Sequence, residues 1–418
     1  MKILILTQYF PPEIGAPQNR LLDLAIKLST FGAEVSVLTA FPNYPQYRIH
    51  EGYRGKFYQK ELFDGLTVYR SWIYVTTSKT IISRLLNYFS FCLSSLFIGL
   101  TKTSEIDLII CESPPLFLGA TAVLLKQQKK ARLVFNVSDL WPESAVKLGL
   151  VNNKLIIKVS YALEHWIYRQ ANQISGQTQG IIHSISSRIT NKKVFWLRNG
   201  IDPQEVEERL TQADWRKNQG FAKDDFLVYF GGLMGYAQGL EVIMESAWET
   251  KDNKRIKYIL IGDGPEKQKL LELQKKMVLS NVYIYQAVSR FEIIDVIKGI
   301  DAAIIPLRKI DLFKGAIPSK IFEILYMKKP LLLGVAGEAL QIFVKDAQAG
   351  LPFEPENGAD LASRVNLLAD NPQLSEELGK NGHKYIMKNF NRNQIAQDFW
   401  NFIQFSNDTQ TSSDTTNH

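Results

Sequence analysis

Short unbroken apolar runs alternate along this chain with longer stretches whose apolar positions recur every three or four residues. That is the pattern of buried strands and one-faced helices. Residues 3–7 (ILILT) predict a strand, followed by the loop QYFPPEIGAP and a helix from about Gln18 to Thr30 with Leu21, Leu22, Ala25 and Leu28 on one face. Gly32 stops that helix and 34–39 (EVSVLT) predicts the next strand, so the chain opens on a βαβ unit and a parallel sheet. Further strands are predicted at 66–70, 107–111, 133–137 and 194–197, with a helix over 156–171. Arg198-Asn199-Gly200-Ile201-Asp202 reads as a turn and a domain border. A second series follows, with strands at 226–230, 257–261, 282–285, 302–305 and 331–335. Its helices are predicted at 239–249, 265–277, 290–298, 319–328, 338–347, 358–369 and 373–388. Each half therefore reads as a doubly wound α/β domain, and two such domains facing each other create a cleft. From Arg392 to Phe405, Ile395, Phe399, Trp400, Ile403 and Phe405 form an apolar face that needs a partner surface. Residues 406–418 are polar and are expected to be disordered.

Length supports two domains: 418 residues, at roughly 100–200 per domain. With 45% hydrophobic and 22% charged residues, the chain is neither disordered, collagenous nor a polytopic membrane protein. A net charge of +7 suits an anionic ligand or membrane surface without demanding nucleic acid. Cys92 and Cys111 both lie in apolar runs, which excludes a disulfide framework and points to a reducing compartment. The opening MKILIL is too short for a secretory signal and is followed by Pro11, Pro12 and Glu13, so it reads as a first strand. Leu85–Thr101 is uncharged between Arg84 and Lys102, yet its 17 residues fall short of the roughly 20 that span a bilayer. It is either a helix dipping into one leaflet or a core helix of the first domain.

Ligands of parallel sheets sit at the carboxyl ends of strands, near helix starts, so the loops there are the candidates. Gly15-Ala16-Pro17 follows the first strand. Gly231-Gly232-Leu233-Met234-Gly235 and then Gln238-Gly239 follow strand 226–230, without the spacing of a dinucleotide fingerprint. Gly262-Asp263-Gly264-Pro265 follows strand 257–261, with Pro265 expected at the first helical position. Each of these loops reads either as a phosphate approach or as a plain turn. The richest loop runs from Arg308 to Glu323 and gathers Arg308, Lys309, Lys314 and Lys320 before a helix, with Ser319 as N-cap candidate. A cation cluster there matches a diphosphate, and Glu323 can accept hydrogen bonds from vicinal sugar hydroxyls. In the first half, Asp139 and Glu143 follow strand 133–137 at the sheet's carboxyl edge. Asp139 reads as a base, a hydroxyl acceptor or an N-cap. The five histidines have no ligand spacing, so no metal site is expected.

TQYFPPEIGAP, AFPNYP, SPPLFLGA, DLWPESA, RNGID, GGLMGYAQGLE, GDGPE and IPSKIFEIL occur in this order. Together they resemble the bacterial GT-B glycosyltransferases of family 4, in particular the subgroup that builds surface polysaccharide, such as fucosamine transferases. The resemblance runs from Met1 to about Phe405. It implies a GT-B fold, with an acceptor-binding domain over 1–200 onto which a helix at 390–405 packs back, and a nucleotide-sugar domain over 201–389. It implies transfer with retention, without metal or other cofactor, from a nucleotide sugar, a UDP-sugar foremost. Carried over, Glu323 matches the glutamate that binds the nucleotide ribose; Pro318, Ser319 and Lys320 match the loop near the diphosphate; Gly15 matches the first-loop glycine. Gly232, Gly235, Gln238 and Gly264 complete the expected donor site, and Asn43 and Glu143 the acceptor site. This chain departs from relatives in carrying Gly315 where the first Glu of E-x7-E stands. Leu233 and Gln238 stand where many carry Arg and Lys, and Ser138 where Arg is common before Asp-Leu-Trp-Pro.

The expected reaction is then departure of a nucleoside diphosphate whose developing charge is met by Arg308, Lys320 and the helix start, with Asp139 orienting the acceptor. The expected acceptor is a polyprenyl-diphosphate saccharide. The protein is expected in the cytoplasm, peripheral on the inner face of the cytoplasmic membrane, with Arg84, Lys102, Lys126, Lys129, Lys130 and Arg132 toward anionic lipid. A sugar-cleaving enzyme and a nucleotide-sugar-binding subunit without activity are the alternatives.

Overall fold

Strands whose residues are apolar without alternation require cover on both faces, and the structure supplies it. The computed structural model describes residues 1–404 except 14, 45, 79, 148–150 and 290. The tail at 406–418 and Phe405 lie outside the described residues.

The first unit comprises Met1–Asn199 and the segment from Asn393. Its eight strands are β1 (Lys2–Leu6), β2 (Glu34–Ala40), β3 (Tyr58–Phe63), β4 (Leu66–Ser71), β5 (Leu108–Ser113), β6 (Arg132–Val137), β7 (Gln173–Gly176) and β8 (Val194–Trp196). They lie in the order β3-β4-β2-β1-β5-β6-β7-β8. Leu4 and Leu6 of β1 face one core with Cys111, Phe135 and Ile167; Ile3 and Ile5 face the other with Ile110, Val134 and Phe399. The first core is closed by the helices α2 (Ile81–Thr101), α3 (Leu118–Lys129) and α4 (Lys154–Gln170). The second is closed by α1 (Ala16–Thr30) and by the helix Arg392–Gln404, which buries Ile395, Phe399, Trp400 and Ile403. Arg132 and Gln173 fasten that helix by donating to the Ile403 and Phe402 carbonyls, at 2.7 and 2.6 Å.

The second unit, Gly200–Arg392, has six parallel strands: β9 (Phe226–Gly231), β10 (Ile256–Ile261), β11 (Val282–Tyr285), β12 (Ala302–Pro306), β13 (Leu331–Gly334) and β14 (Gly350–Pro352). Their order is β11-β10-β9-β12-β13-β14. Both units are Rossmann-like.

Several expectations need correction. β3 is antiparallel to β4 and was not predicted, because Lys60 and Glu61 break its apolar pattern; it is an edge strand, where charge prevents further pairing. Asp64 and Gly65, at φ 46° and 79°, make the tight turn that joins it to β4. The stretch 338–347 winds instead as a π-helix over Leu340–Asp346. Pro265 precedes rather than starts its helix, whose N-cap is Glu266. Ser319 does not cap with its side chain: its backbone is already helical and its hydroxyl makes no cap bond. Lys126, Lys129 and Arg132, expected toward anionic lipid, turn their charged ends to the protein itself. Their charged ends donate to main-chain carbonyls of Gln170, Thr103 and Ile403.

α2 has two faces. Phe91, Cys92, Ser95 and Ile98 are buried against the sheet, whereas Ile82, Leu86, Phe89, Leu93, Phe97 and Leu100 form an exposed stripe. Over Ile82–Thr101 the helix is long and apolar enough to cross a membrane, but a third of it is buried.

Candidate active site

In the second unit the chain leaves β9 toward β10 and leaves β12 toward β13, so neighbouring β9 and β12 mark the point where strand order reverses. Loops after such strands diverge and leave a crevice for ligands. The loop after β9 packs backbone to backbone on the loop after β10. The Gly232 N–H donates to the Ile261 carbonyl (2.9 Å) and the Met234 N–H to the Asp263 carbonyl (2.8 Å). A Cβ on Gly264, at φ +151°, would lie 2.4 Å from the Met234 carbonyl oxygen, so Gly264 serves this packing. Gly235 donates its N–H to Gln238 Oε1 (3.2 Å), which closes the turn Tyr236–Gln238.

The cations of the loop after β12 separate by their surroundings. Arg308 stacks over Tyr236 (4.2 Å) and donates Nε to the Tyr236 carbonyl (2.7 Å), Nη1 to Glu356 (2.9 Å) and Nη2 to Glu241 (3.0 Å). Two carboxylates thus already compensate its charge. Lys309 pairs with Glu354 and Lys314 with Asp311. Lys320 is different. It is partly buried, its Nζ lies 4.2 Å over the Phe230 ring, and no carboxylate pairs with it among the described residues. The open Cα of Gly232 lets it approach: a Cβ there would be 3.1 Å from Nζ. Burial pulls its pKa down to about 8. Pro318 accepts from the Ile321 N–H (3.2 Å), and Ser319 is exposed beside Lys320.

Glu323 accepts from Arg209 Nη1 (3.2 Å). Arg209 is buried and also pairs with Glu205, which Arg392 holds from the other side (3.1 Å). Glu323 keeps part of its carboxylate accessible, with a side-chain exposure of 28%. Burial, and then the Glu323 charge, push the Tyr229 hydroxyl well above its usual pKa. Gly315 is exposed, with nothing within 4 Å of a Cβ built on it.

In the first unit the reversal falls between β1 and β5. Arg20 of α1 reaches across it, donating Nη2 to Glu112 Oε1 (2.5 Å) and to Ser138 Oγ (2.8 Å). Asn136 donates to Glu112 Oε2 (2.6 Å) and accepts from Ser175 (2.7 Å). Arg20 Nε and Nη1 are buried without a partner. Asp139, next along, is exposed and accepts from the Ser144 hydroxyl (2.5 Å). Glu143 bonds Lys147 (2.8 Å) and Arg188 (3.0 Å), Lys147 foremost holding its carboxyl below the usual range. Asn43 is buried and donates its side-chain amide to the Phe41 carbonyl (2.9 Å). Its N–H and that of Tyr44 donate to Glu13, whose carboxyl burial holds above the usual range. Gly15 caps α1 with an extended backbone. A Cβ there would lie 2.3 Å from Gln18 Oε1, which fills the notch. No group of His, Cys, Asp or Glu able to hold a metal occurs among the described residues.

Residues 211–385 match the family model for glycosyl transferases group 1, and residues 15–188 that for the glycosyl transferase 4-like domain. The chain is a glycosyltransferase. It is 25% identical over 332 residues to WcaI of Escherichia coli (strain K12), a glycosyl transferase named for colanic acid biosynthesis, covering 78% of this chain and 81% of that one. Its fold is that of Anabaena HepE, solved in complex with UDP (TM-score 0.69, 16% identity, 97% of this chain and 100% of that one). It is also that of WaaG, described as a glycosyltransferase involved in lipopolysaccharide biosynthesis (TM-score 0.63, 16% identity, 96% and 99%). These neighbours make the fold of the transferase GT-B.

The sequence-predicted donor residues Gly232, Gly235, Gln238, Gly264, Pro318, Ser319 and Glu323, and the expected catalytic Arg308 and Lys320, fall on loops at the carboxyl ends of β9, β10 and β12 or on the helix just beyond, whereas Gly15, also expected at the donor, lies in the first unit at the start of α1. Arg20, Glu112, Glu13 and Arg209 were missed. Arg20 sits in an ordinary helical pattern and Arg209 in the turn after a short helix, and only burial marks them. Glu112 alone carried a signal, as a carboxylate inside the apolar run LIICES.

Proposed function

We propose that this glycosyltransferase moves a sugar from a nucleotide-sugar donor, a UDP-sugar foremost, to a polyprenyl-diphosphate-linked saccharide in surface polysaccharide synthesis, with retention and without metal or other cofactor. The observation that carries the donor half is Lys320: a partly buried ammonium with no carboxylate partner among the described residues, set against a glycine loop where strand order reverses. Such a cation is suited to the diphosphate that carries the developing charge. Arg308 acts by holding the Tyr236–Gln238 turn, its own charge being compensated. Glu323, fixed by Arg209, accepts from the ribose hydroxyls with its accessible oxygen. HepE's complex with UDP and the name of WcaI support nucleotide and pathway class. In the first unit, the exposed Asp139 orients the acceptor, whose hydroxyl loses its proton to the departing phosphate on the same face. The exposed α2 stripe, with Leu86 to Leu100 between Arg84 and Lys102, supports a peripheral seat on the cytoplasmic membrane face.

The test incubates the protein and native membranes with labelled UDP-, GDP- and dTDP-sugars. Label is expected in the lipid fraction from one donor, about 10- to 100-fold slower for Glu323→Ala, the worth of one or two charge-assisted hydrogen bonds. Nucleotide binding without transfer from any donor overturns the acceptor assignment, and absence of nucleotide binding overturns the donor site.

A further inference from the structure

Beside α2 the first unit holds a cavity of about 430 Å³ that the donor and acceptor assignments leave unused. It is lined by Tyr47, Arg48, Arg54, Trp72 and Tyr74, with Ile73 and Val75 behind them. Its volume falls in the range of small-ligand sites, about 300–1,000 Å³. α2 builds one wall. Ser94 Oγ donates to the Trp72 carbonyl (2.5 Å), Ser90 Oγ accepts from the Tyr74 N–H (2.8 Å), and Asn87 donates to the Tyr74 carbonyl (2.7 Å). Phe57 ties the same region to the exposed stripe, edge-on to Phe97 at 6.2 Å. The Trp72–Val75 wall of the cavity is thus held on α2, the helix that carries the exposed apolar stripe.

Its lining has a specific chemistry. Arg48 has no ion-pair partner among the described residues, and Arg54 only a distant one, Glu51 at 3.9 Å, besides the Ile49 carbonyl that Nε holds (3.2 Å). Guanidinium forks match phosphate oxygens. Trp72 and Tyr74 are both exposed, and rings of this kind present apolar faces to the C–H face of a sugar and favour the depth of lipid headgroups. A phosphate next to a sugar, at headgroup depth beside an apolar helix, is the head of a lipid-linked saccharide. It is not that of phosphatidylglycerol or phosphatidylcholine, which have no ring for the aromatics. We propose that this cavity binds the phosphate-sugar headgroup of the lipid acceptor, Arg48 and Arg54 taking the phosphate and Trp72 and Tyr74 the first sugar. The inference rests on the reading of a membrane-borne acceptor given above.

The full chain is sedimented with vesicles of phosphatidylcholine alone, of phosphatidylcholine with phosphatidylglycerol, and of phosphatidylcholine with a polyprenyl diphosphate carrying one N-acetylhexosamine, the last two matched in charge. The wild type is expected to bind the polyprenyl vesicles about tenfold better than the phosphatidylglycerol vesicles. The double variant Arg48→Ala/Arg54→Ala loses that excess, and millimolar inorganic phosphate does not. Trp72→Ala also lowers it, with an unchanged melting temperature because these side chains are exposed. Equal binding to both anionic vesicles, an excess that survives in the double variant, or its loss to free phosphate overturns the proposal. Leu93→Asp separates the two readings. If it releases the protein from all vesicles while the arginine variant behaves as wild type, the membrane seat stands and the headgroup site falls. If the wild type binds no vesicle, both fall.

Discussion

Lys320 ties the candidate site to pH. Its folded-state pKa of about 8 lies below the 10.5 of an unburied lysine, so between those values the unfolded chain holds a proton that the folded chain has released. The burial penalty is full below about pH 8 and is relieved as pH rises toward 10.5, so this residue's contribution to stability improves with pH. Diphosphate binding follows the opposite sign, because the folded chain loses its ammonium as pH rises through about 8. UDP affinity measured by titration calorimetry should fall by up to about tenfold between pH 7 and 9. Lys320→Arg, which stays charged, should flatten that fall; an equal fall in that variant removes Lys320 from the phosphate site. Arg20 makes a stability prediction. Arg20→Ala leaves Glu112 buried and uncompensated and should cost about 3–5 kcal/mol in urea unfolding, while the double change Arg20→Leu/Glu112→Leu should recover most of it. Ser138 shows what was hidden at this scale. The sequence displays a serine where relatives carry arginine, but the guanidinium 2.8 Å away comes from another element, 118 residues earlier. No local pattern reveals such a pairing.

Elements were more legible, because each strand between two cores is a plain apolar run. β1, β5, β6, β9, β10 and β12 announce themselves this way. β3 and β7 did not: β3 is a charged edge, and β7 (QISG) is four residues with a serine bonded to Asn136. α2 shows where composition stops deciding, since an even apolar sequence carries one buried and one exposed face. Phe91→Ala, in the core, should cost about 3–5 kcal/mol. Leu93→Ala, 69% exposed, should stay within about 0.5 kcal/mol by thermal unfolding. Similar losses for both would mean that the outer face is packed in solution. Likewise the basic run Lys126–Arg132 looked like a lipid-facing patch from charge alone, yet three of its side chains satisfy carbonyls at or just beyond helix ends.

At the scale of the molecule, two alternating series were readable as two Rossmann-like units, and the apolar face of 392–405 as a helix in need of a surface. Strand order was not readable, because β1, β2 and β5 have similar runs and only their connections decide which is central. The helix Arg392–Gln404 makes stability non-local. Phe399→Ala should destabilise the first unit by about 3–5 kcal/mol. Amide exchange should then quicken in β1, β5 and β6 before it does in β9, β10 and β12; uniform quickening would mean the two units unfold together.

That same helix bears on how the protein is made. β1 and α1 leave the ribosome early, but the element that covers Ile3, Ile5 and Val134 is translated only after the whole Gly200–Arg392 unit. At about 5–20 residues per second, the half-covered sheet waits on the order of 10–40 s. During that interval an apolar sheet face stands open in the nascent chain, a natural client surface for a chaperone, while the second unit, continuous in sequence, can close first.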